Sequence, residues 1–140
     1  MALPTMTGVG RLIEDPELRY TSSAVAMCKV RIAFNSRRKN EAGEWIDGDK
    51  FYANGTVWEE EAQNVAESLR KGDLVTVTGR LKTESWTDRE GSKRTSTALM
   101  IDSIGPSMKY ATVKVNKLDR KTGVEEGDPY AVGNDQEPPF

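Results

Sequence analysis

Apolar residues recur at every second position in several short runs, the period of a strand with one buried face. The clearest run is residues 74–94, LVTVTGRLKTESWTDREGSKR. Val75, Val77, Gly79 and Leu81 share one side, and Thr76, Thr78, Arg80, Lys82 and Trp86 share the other. One face is apolar, while the other is cationic and ends in an indole. Beyond Trp86 the strand is expected to run into a basic loop with Asp88, Glu90 and Gly91 at its turn. Two other runs repeat this scheme. From residue 24, Cys28, Val30, Ile32 and Phe34 fall on one face and Lys29, Arg31, Ala33, Asn35 and Arg37 on the other. Over residues 50–58, Phe51, Ala53, Gly55 and Val57 point inward, and Lys50, Tyr52, Asn54, Thr56 and Trp58 outward.

The remaining segments fill in around these three. Residues 6–15 also alternate, with Gly8 and Gly10 permitting a bend or a close backbone approach. Asp15-Pro16 breaks that run, and residues 16–23, with Arg19 and Tyr20, read as a connector. Residues 37–49, RRKNEAGEWIDGD, read as a long exposed loop or hairpin. Within it, Trp45 and Ile46 either fold back on the body or stand ready for a ligand. Residues 59–71 switch to a helical period, with Ala62, Val65, Ala66 and Leu69 on one stripe. Glu59, Glu60 and Glu61 at the start and Arg70 and Lys71 at the end suit the helix dipole, and Gly72 suits a C-terminal stop. Residues 95–104 predict a last core strand, apolar on both faces and so covered on both sides or placed at a subunit contact. After Gly105-Pro106, the run YATVKV at residues 110–115 is strand-like and needs a partner edge, which a neighbouring subunit could supply.

The order β-β-β-α-β-β, with five short alternating strands and one helix between the third and fourth, is the layout of the OB-fold, a small Greek-key barrel. A mainly β domain is expected over residues 1–118, with residues 105–117 as an extra clamp strand. Residues 119–140 have few apolar positions and no periodicity, and predict a disordered acidic tail. Charge divides the same way. Residues 1–118 carry eighteen cations against sixteen acids, and residues 119–140 two against six, so a formal charge of −2 hides a mildly basic body and an acidic tail.

Composition narrows the chemistry. The chain has no His and a single Cys28, so His-based acid–base pairs and CxxC or His clusters for zinc are missing, and an enzyme is not expected. No cofactor or metal is called for. Cys28, in an apolar strand, reads as a small core residue, and a lone thiol suits a reducing cytoplasm. The start MALPTMTGVG lacks the features of a signal peptide, and no run approaches a membrane span, so a soluble cytoplasmic protein is expected. The outward residues Lys29, Arg31, Arg37, Lys50, Tyr52, Trp58, Arg80, Lys82 and Trp86 interleave cations with flat rings, and Trp45 joins them from the loop. Single-stranded nucleic acid needs that combination: cations track the phosphates, and unpaired bases stack on aromatics with little base preference. Trp58, just ahead of the helix, is open to a second role as packing for the first turn.

Taken together, GRLIEDPELRYT (10–21), AVAMCKVRIAFN (24–35), GEWIDGD (43–49), WEEEAQNVAESLRKGDLVTVTGRLKTESWTDREG (58–91) and DQEPPF (135–140) resemble the bacterial single-stranded DNA-binding protein family, phage-encoded members included. IGPSMKYATVKVNK (104–117) is similar to the high-GC Gram-positive branch, whose members add a clamping C-terminal strand. The resemblance implies homotetramers of OB-fold subunits that wrap single-stranded DNA in replication, recombination and repair. It also implies that Tyr52, Trp58 and Trp86 match stacking aromatics, with Arg37 standing where the family carries a fourth. Asp135, Glu137, Pro138, Pro139 and Phe140 match the tip that recruits replication and repair proteins, here with Gln136 between the acids.

Overall fold

Two hairpins of fourteen-residue strands form the bulk of the fold, and the same short signal turns both of them. In the first, Asn40 Oδ1 accepts the backbone N–H groups of Ala42 and Glu44 at 2.9 Å, and Gly43 takes φ +82°. In the second, Asp88 Oδ1 accepts those of Glu90 and Ser92 at 2.9 Å, and Gly91 takes φ +84°. An Asn or Asp side chain mimics a backbone turn, and a glycine three residues later supplies the left-handed conformation. The computed structural model describes residues 1–118, and the expectations for 119–140, including those on Asp135 to Phe140, lie outside the described residues. Its elements are β1 (Thr5–Leu12), β2 (Glu17–Tyr20), β3 (Ala26–Lys39), β4 (Trp45–Trp58), α1 (Glu59–Ser68), β5 (Leu74–Thr87) and β6 (Lys93–Pro106).

The strands close into a ring. β1 pairs with β5, β5 with β6, β6 with β4, β4 with β3, and β3 returns to β1 through Arg11↔Ala33 and Leu12↔Ile32. All pairs are antiparallel except β4–β6, where Asn54, Gly55 and Thr56 lie parallel to Ala98, Leu99 and Met100. This is the five-stranded OB barrel with its helix between the β3–β4 and β5–β6 hairpins. Inward residues Leu12, Cys28, Val30, Ile32, Val57, Val75, Val77 and Leu99 fill the barrel, and Ala62 and Val65 of α1, with Leu69 just beyond it, pack against them. Cys28 is fully buried, as its apolar run implies; burial first, and then the charge of Glu17, raise its thiol above the ordinary value. No helix among the described residues is long and apolar enough to cross a membrane.

Four expectations change. Residues 17–20 are not a connector but β2, an edge strand on β3 with Glu17↔Lys29 and Tyr20↔Ala26. Its four residues are too few for alternation to show. The helix stops at Ser68, short of Arg70 and Lys71, because Leu69 turns extended (φ −102°, ψ 150°) to place its side chain in the core. Arg70 Nη1 then donates to the carbonyls of Ala66 and Leu69 at 2.8 Å, while Gly72, at φ +95°, serves the following turn. Phe51 is on the inward side of β4 but half-exposed, since the β3–β4 hairpin outruns the barrel there; its ring meets Phe34 at 6.1 Å. The last strand is longer than expected and its basic loop is a tight turn. Residues 107–118 carry no strand within one chain; a strand at 110–115 would need an edge from a second subunit.

Space is tightest within the β5–β6 hairpin, beside the register shift on β5. A Cβ on Gly79 would run into the Met100 carbonyl, a backbone atom that cannot swing aside, whereas one on Gly105 would meet nothing within 4 Å. Gly79→Ala is expected to cost about 1–3 kcal/mol in urea unfolding and Gly105→Ala less than about 0.5 kcal/mol, each at matched protein concentration. The Cys28 thiol should react with an aromatic disulfide reagent orders of magnitude more slowly in the native protein than in urea; equal rates would contradict its burial.

Candidate nucleic-acid interface

Strand register decides which outward residues become neighbours, because paired residues share a face. Across one row, Arg80 on β5 lies beside Met100, then Thr56, then Lys29, then Glu17 of β2. The next row runs Lys82, Ala98, Asn54 and Arg31. Trp86 stands opposite Arg94, Tyr52 opposite Ala33, Lys50 opposite Asn35, and Trp58 opposite Met27. Thus Lys29, Arg31, Lys50, Tyr52, Trp58, Arg80, Lys82 and Trp86 belong to one continuous outer face over β5-β6-β4-β3. Arg37 and Trp45 extend it onto the projecting β3–β4 arm.

A groove of about 340 Å³ crosses this face, with Trp86 on one wall, Lys29 and Arg31 on the other, and Asn54, Gly55 and Thr56 along its floor. Arg37, Trp45, Lys50, Tyr52, Trp58, Arg80 and Lys82 do not line it. Tyr52, Trp58 and Trp86 keep 46–51% of their surface exposed although none is needed as core, so rings are open to an incoming planar group. Trp58 supplies no side-chain cap to α1. Trp45 does not fold back on the body; it is 59% exposed, and Lys39 Nζ sits 5.4 Å from its ring centroid.

The cations are mostly paired. Arg80 grips Asp102 with Nε at 3.3 Å and Nη2 at 3.0 Å, Lys82 lies 3.8 Å from Glu84, and Arg37 lies 4.0 Å from Asp47. Arg31 Nε donates to Asn54 Oδ1 at 3.1 Å and its Nη1 lies 4.0 Å from Glu14. Lys29 and Lys50 have no such partner among the described residues. Exposed pairs of this kind are each worth about 0–1 kcal/mol. Two cations escaped the outward tally. Arg19 binds both carboxylate oxygens of Glu17 at 3.0 Å in the groove wall, hidden by the unrecognised β2. Arg94 Nε donates to Asp88 Oδ2 at 2.9 Å beside Trp86, and the Asp-x-x-Gly turn signal would have placed it there.

With this geometry in view, likeness to known proteins becomes informative. The model of the single-strand binding protein family matches residues 4–107. The chain belongs to that family. Its members are DNA-binding proteins rather than enzymes, in agreement with the missing catalytic groups. The chain is 49% identical over 120 residues to the single-stranded DNA-binding protein of Mycobacterium leprae, covering 85% of this chain and 71% of that one. It is 42% identical to that of Mycobacterium bovis, covering 97% of each. In structure it is similar to a small single-stranded DNA-binding protein from Streptomyces coelicolor, with TM-score 0.66 and 29% identity over 77% of this chain and 97% of the other. These actinobacterial relatives agree with the high-GC Gram-positive character of the sequence.

Asp88 is the knot of the tip that carries Trp86. Its hydrogen bond from Arg94, and then those from the turn amides, hold its carboxyl below the ordinary value. A depressed carboxyl contributes fully above its unfolded value and loses that contribution only as pH falls through the lower folded one, so the tip should be constant between about pH 5 and 8. Asp88→Ala should speed hydrogen exchange at the Glu90 and Ser92 amides while leaving the global unfolding midpoint nearly unchanged; unaltered exchange would show that the knot is not what orders the tip.

Proposed function

We propose that this protein binds single-stranded DNA along its outer sheet face, with little base preference, and coats and protects strands in replication, recombination and repair. The observation that carries the reading is the groove between Trp86 and the Lys29–Arg31 wall, set within a face that also bears half-exposed Tyr52 and Trp58. Phosphates would follow the cations while unpaired bases stack on the rings; a duplex offers its phosphates but hides the base faces. Arg37, in place of an aromatic, would contribute a guanidinium plane that stacks and pairs with phosphate. Trp45, with the Lys39 ammonium over its ring on the arm, would extend the stacking surface beyond the barrel. Membership of the single-strand binding protein family supports the reading.

The assembly we infer is a homotetramer, with residues 105–117 clamping a neighbouring subunit. Its acidic tail would recruit replication and repair proteins through Asp135, Glu137, Pro138, Pro139 and Phe140, the acids facing basic residues and the terminal Phe filling an apolar pocket. Action on free DNA inside the cell follows from the same reading.

Titrating intrinsic tryptophan fluorescence with poly(dT), beside a duplex control, tests the central claim. Strong quenching by the single strand is expected, and Trp86→Ala should weaken binding by about fivefold to a hundredfold, the equivalent of one lost base stack of about 1–3 kcal/mol. Absence of quenching at low salt would instead favour an assembly role in which nucleic acid is secondary.

A further inference from the structure

Six ion pairs form between described side chains, and in all six the cation belongs to the outer face or to its arm: Arg19, Arg31, Arg37, Arg80, Lys82 and Arg94. Two cations elsewhere bind backbone carbonyls instead. Arg11 Nη1 donates to the Gly72 carbonyl at 2.7 Å, and Arg70 caps the helix. Six of the sixteen acids of residues 1–118 are thus engaged on the surface where a polyanion would be received. Three of them, Glu14, Glu17 and Glu84, line the groove itself. Strand periodicity fixes two of these pairs. Glu17 and Arg19 are two residues apart on β2, as are Lys82 and Glu84 on β5, so each acid emerges on the same face as its cation. Glu14 reaches Arg31 from the segment following β1.

Resting on the single-strand reading above, we propose that Glu14, Glu17 and Glu84 are built-in competitors of the DNA backbone, which occupy Arg31, Arg19 and Lys82 until phosphates displace them. A phosphate must then take an arginine or lysine from a carboxylate already in place, which lowers the electrostatic gain for every polyanion. The released carboxylate also gathers a cation from solution, cancelling the counterion that the phosphate gives up. Such contacts add little to the salt dependence, whereas an unpaired cation contributes a slope of about −0.7 per phosphate on single strands. Lys29 and Lys50 are left as the unencumbered anchors. Base stacking is untouched by the competition, so the face favours ligands that bring exposed bases as well as charge.

The test uses the full chain and poly(dT), with wild type, Glu14→Gln, Glu17→Gln, Glu84→Gln and the triple variant titrated by tryptophan quenching at several salt concentrations. Glutamine keeps the shape of these exposed side chains, and circular dichroism before titration verifies the fold. Glu60→Gln, on the first turn of α1 and outside this groove, removes the same charge and serves as control. Each groove variant should bind about two- to fivefold more tightly at low salt, and the triple variant should show a salt slope steeper by about 0.7 per freed cation. The control should match wild type. Unchanged or weaker binding by the groove variants, with wild-type quenching intact, would overturn the competitor role and leave the single-strand reading standing. An equal gain in Glu60→Gln would also overturn it, because net charge alone would then account for the effect. No quenching in any protein would remove the single-strand reading and the competitor role together.

Discussion

Three parallel residue pairs, Asn54–Ala98, Gly55–Leu99 and Thr56–Met100, hold the two hairpins in one body. Each hairpin is locally determined, by alternation and by a side-chain-closed turn, and each alone would be a two-stranded ribbon with a wet apolar face. The parallel contact joins them, and with β1 paired to β5 on one side and reaching β3 on the other, it leaves the ring no broad open side. It demands close approach. Gly55 leaves room for Ile101 of β6 and for Val30 of β3. Inside the β5–β6 hairpin, Gly79, beside the register shift on β5, does the same for the Met100 backbone and for Leu99. The same contact creates the outer face, because only there does the cationic side of β5 become continuous with the cationic sides of β3 and β4.

Much of this was legible in the chain. Period-two alternation named the inward residues Val30, Ile32, Ala53, Val57, Val75 and Val77 and the outward ones around them, because burial on one face writes itself into every second residue. What depends on distant partners was not legible. The β4–β6 register has no local signature, so the sequence could list Lys29 and Lys82 as outward without showing that their rows converge across Thr56 and Asn54. β2 was too short for a pattern. The helix end was misjudged because Gly72 is a good stop by propensity, yet the need to bury Leu69 ended the helix earlier and Arg70 satisfied the carbonyls left behind. Phe51 followed the inward pattern beyond the point where the barrel still lay beneath it.

The site shows a related split between what residue type and what geometry determine. Tyr52, Trp58 and Trp86 stand out by type, since large rings on a polar face demand an explanation from sequence alone. The state of the cations does not. A count of Lys and Arg suggests a strongly positive groove, yet most of those charges already face a carboxylate two residues along the strand, on a neighbouring strand or beyond a turn. A surface built this way attracts a polyanion less than its basic residues imply. On the proposed reading, its preference for single strands would rest on the rings, whose contact with an unpaired base is short-ranged, insensitive to salt, and denied to any ligand whose bases remain stacked within a duplex.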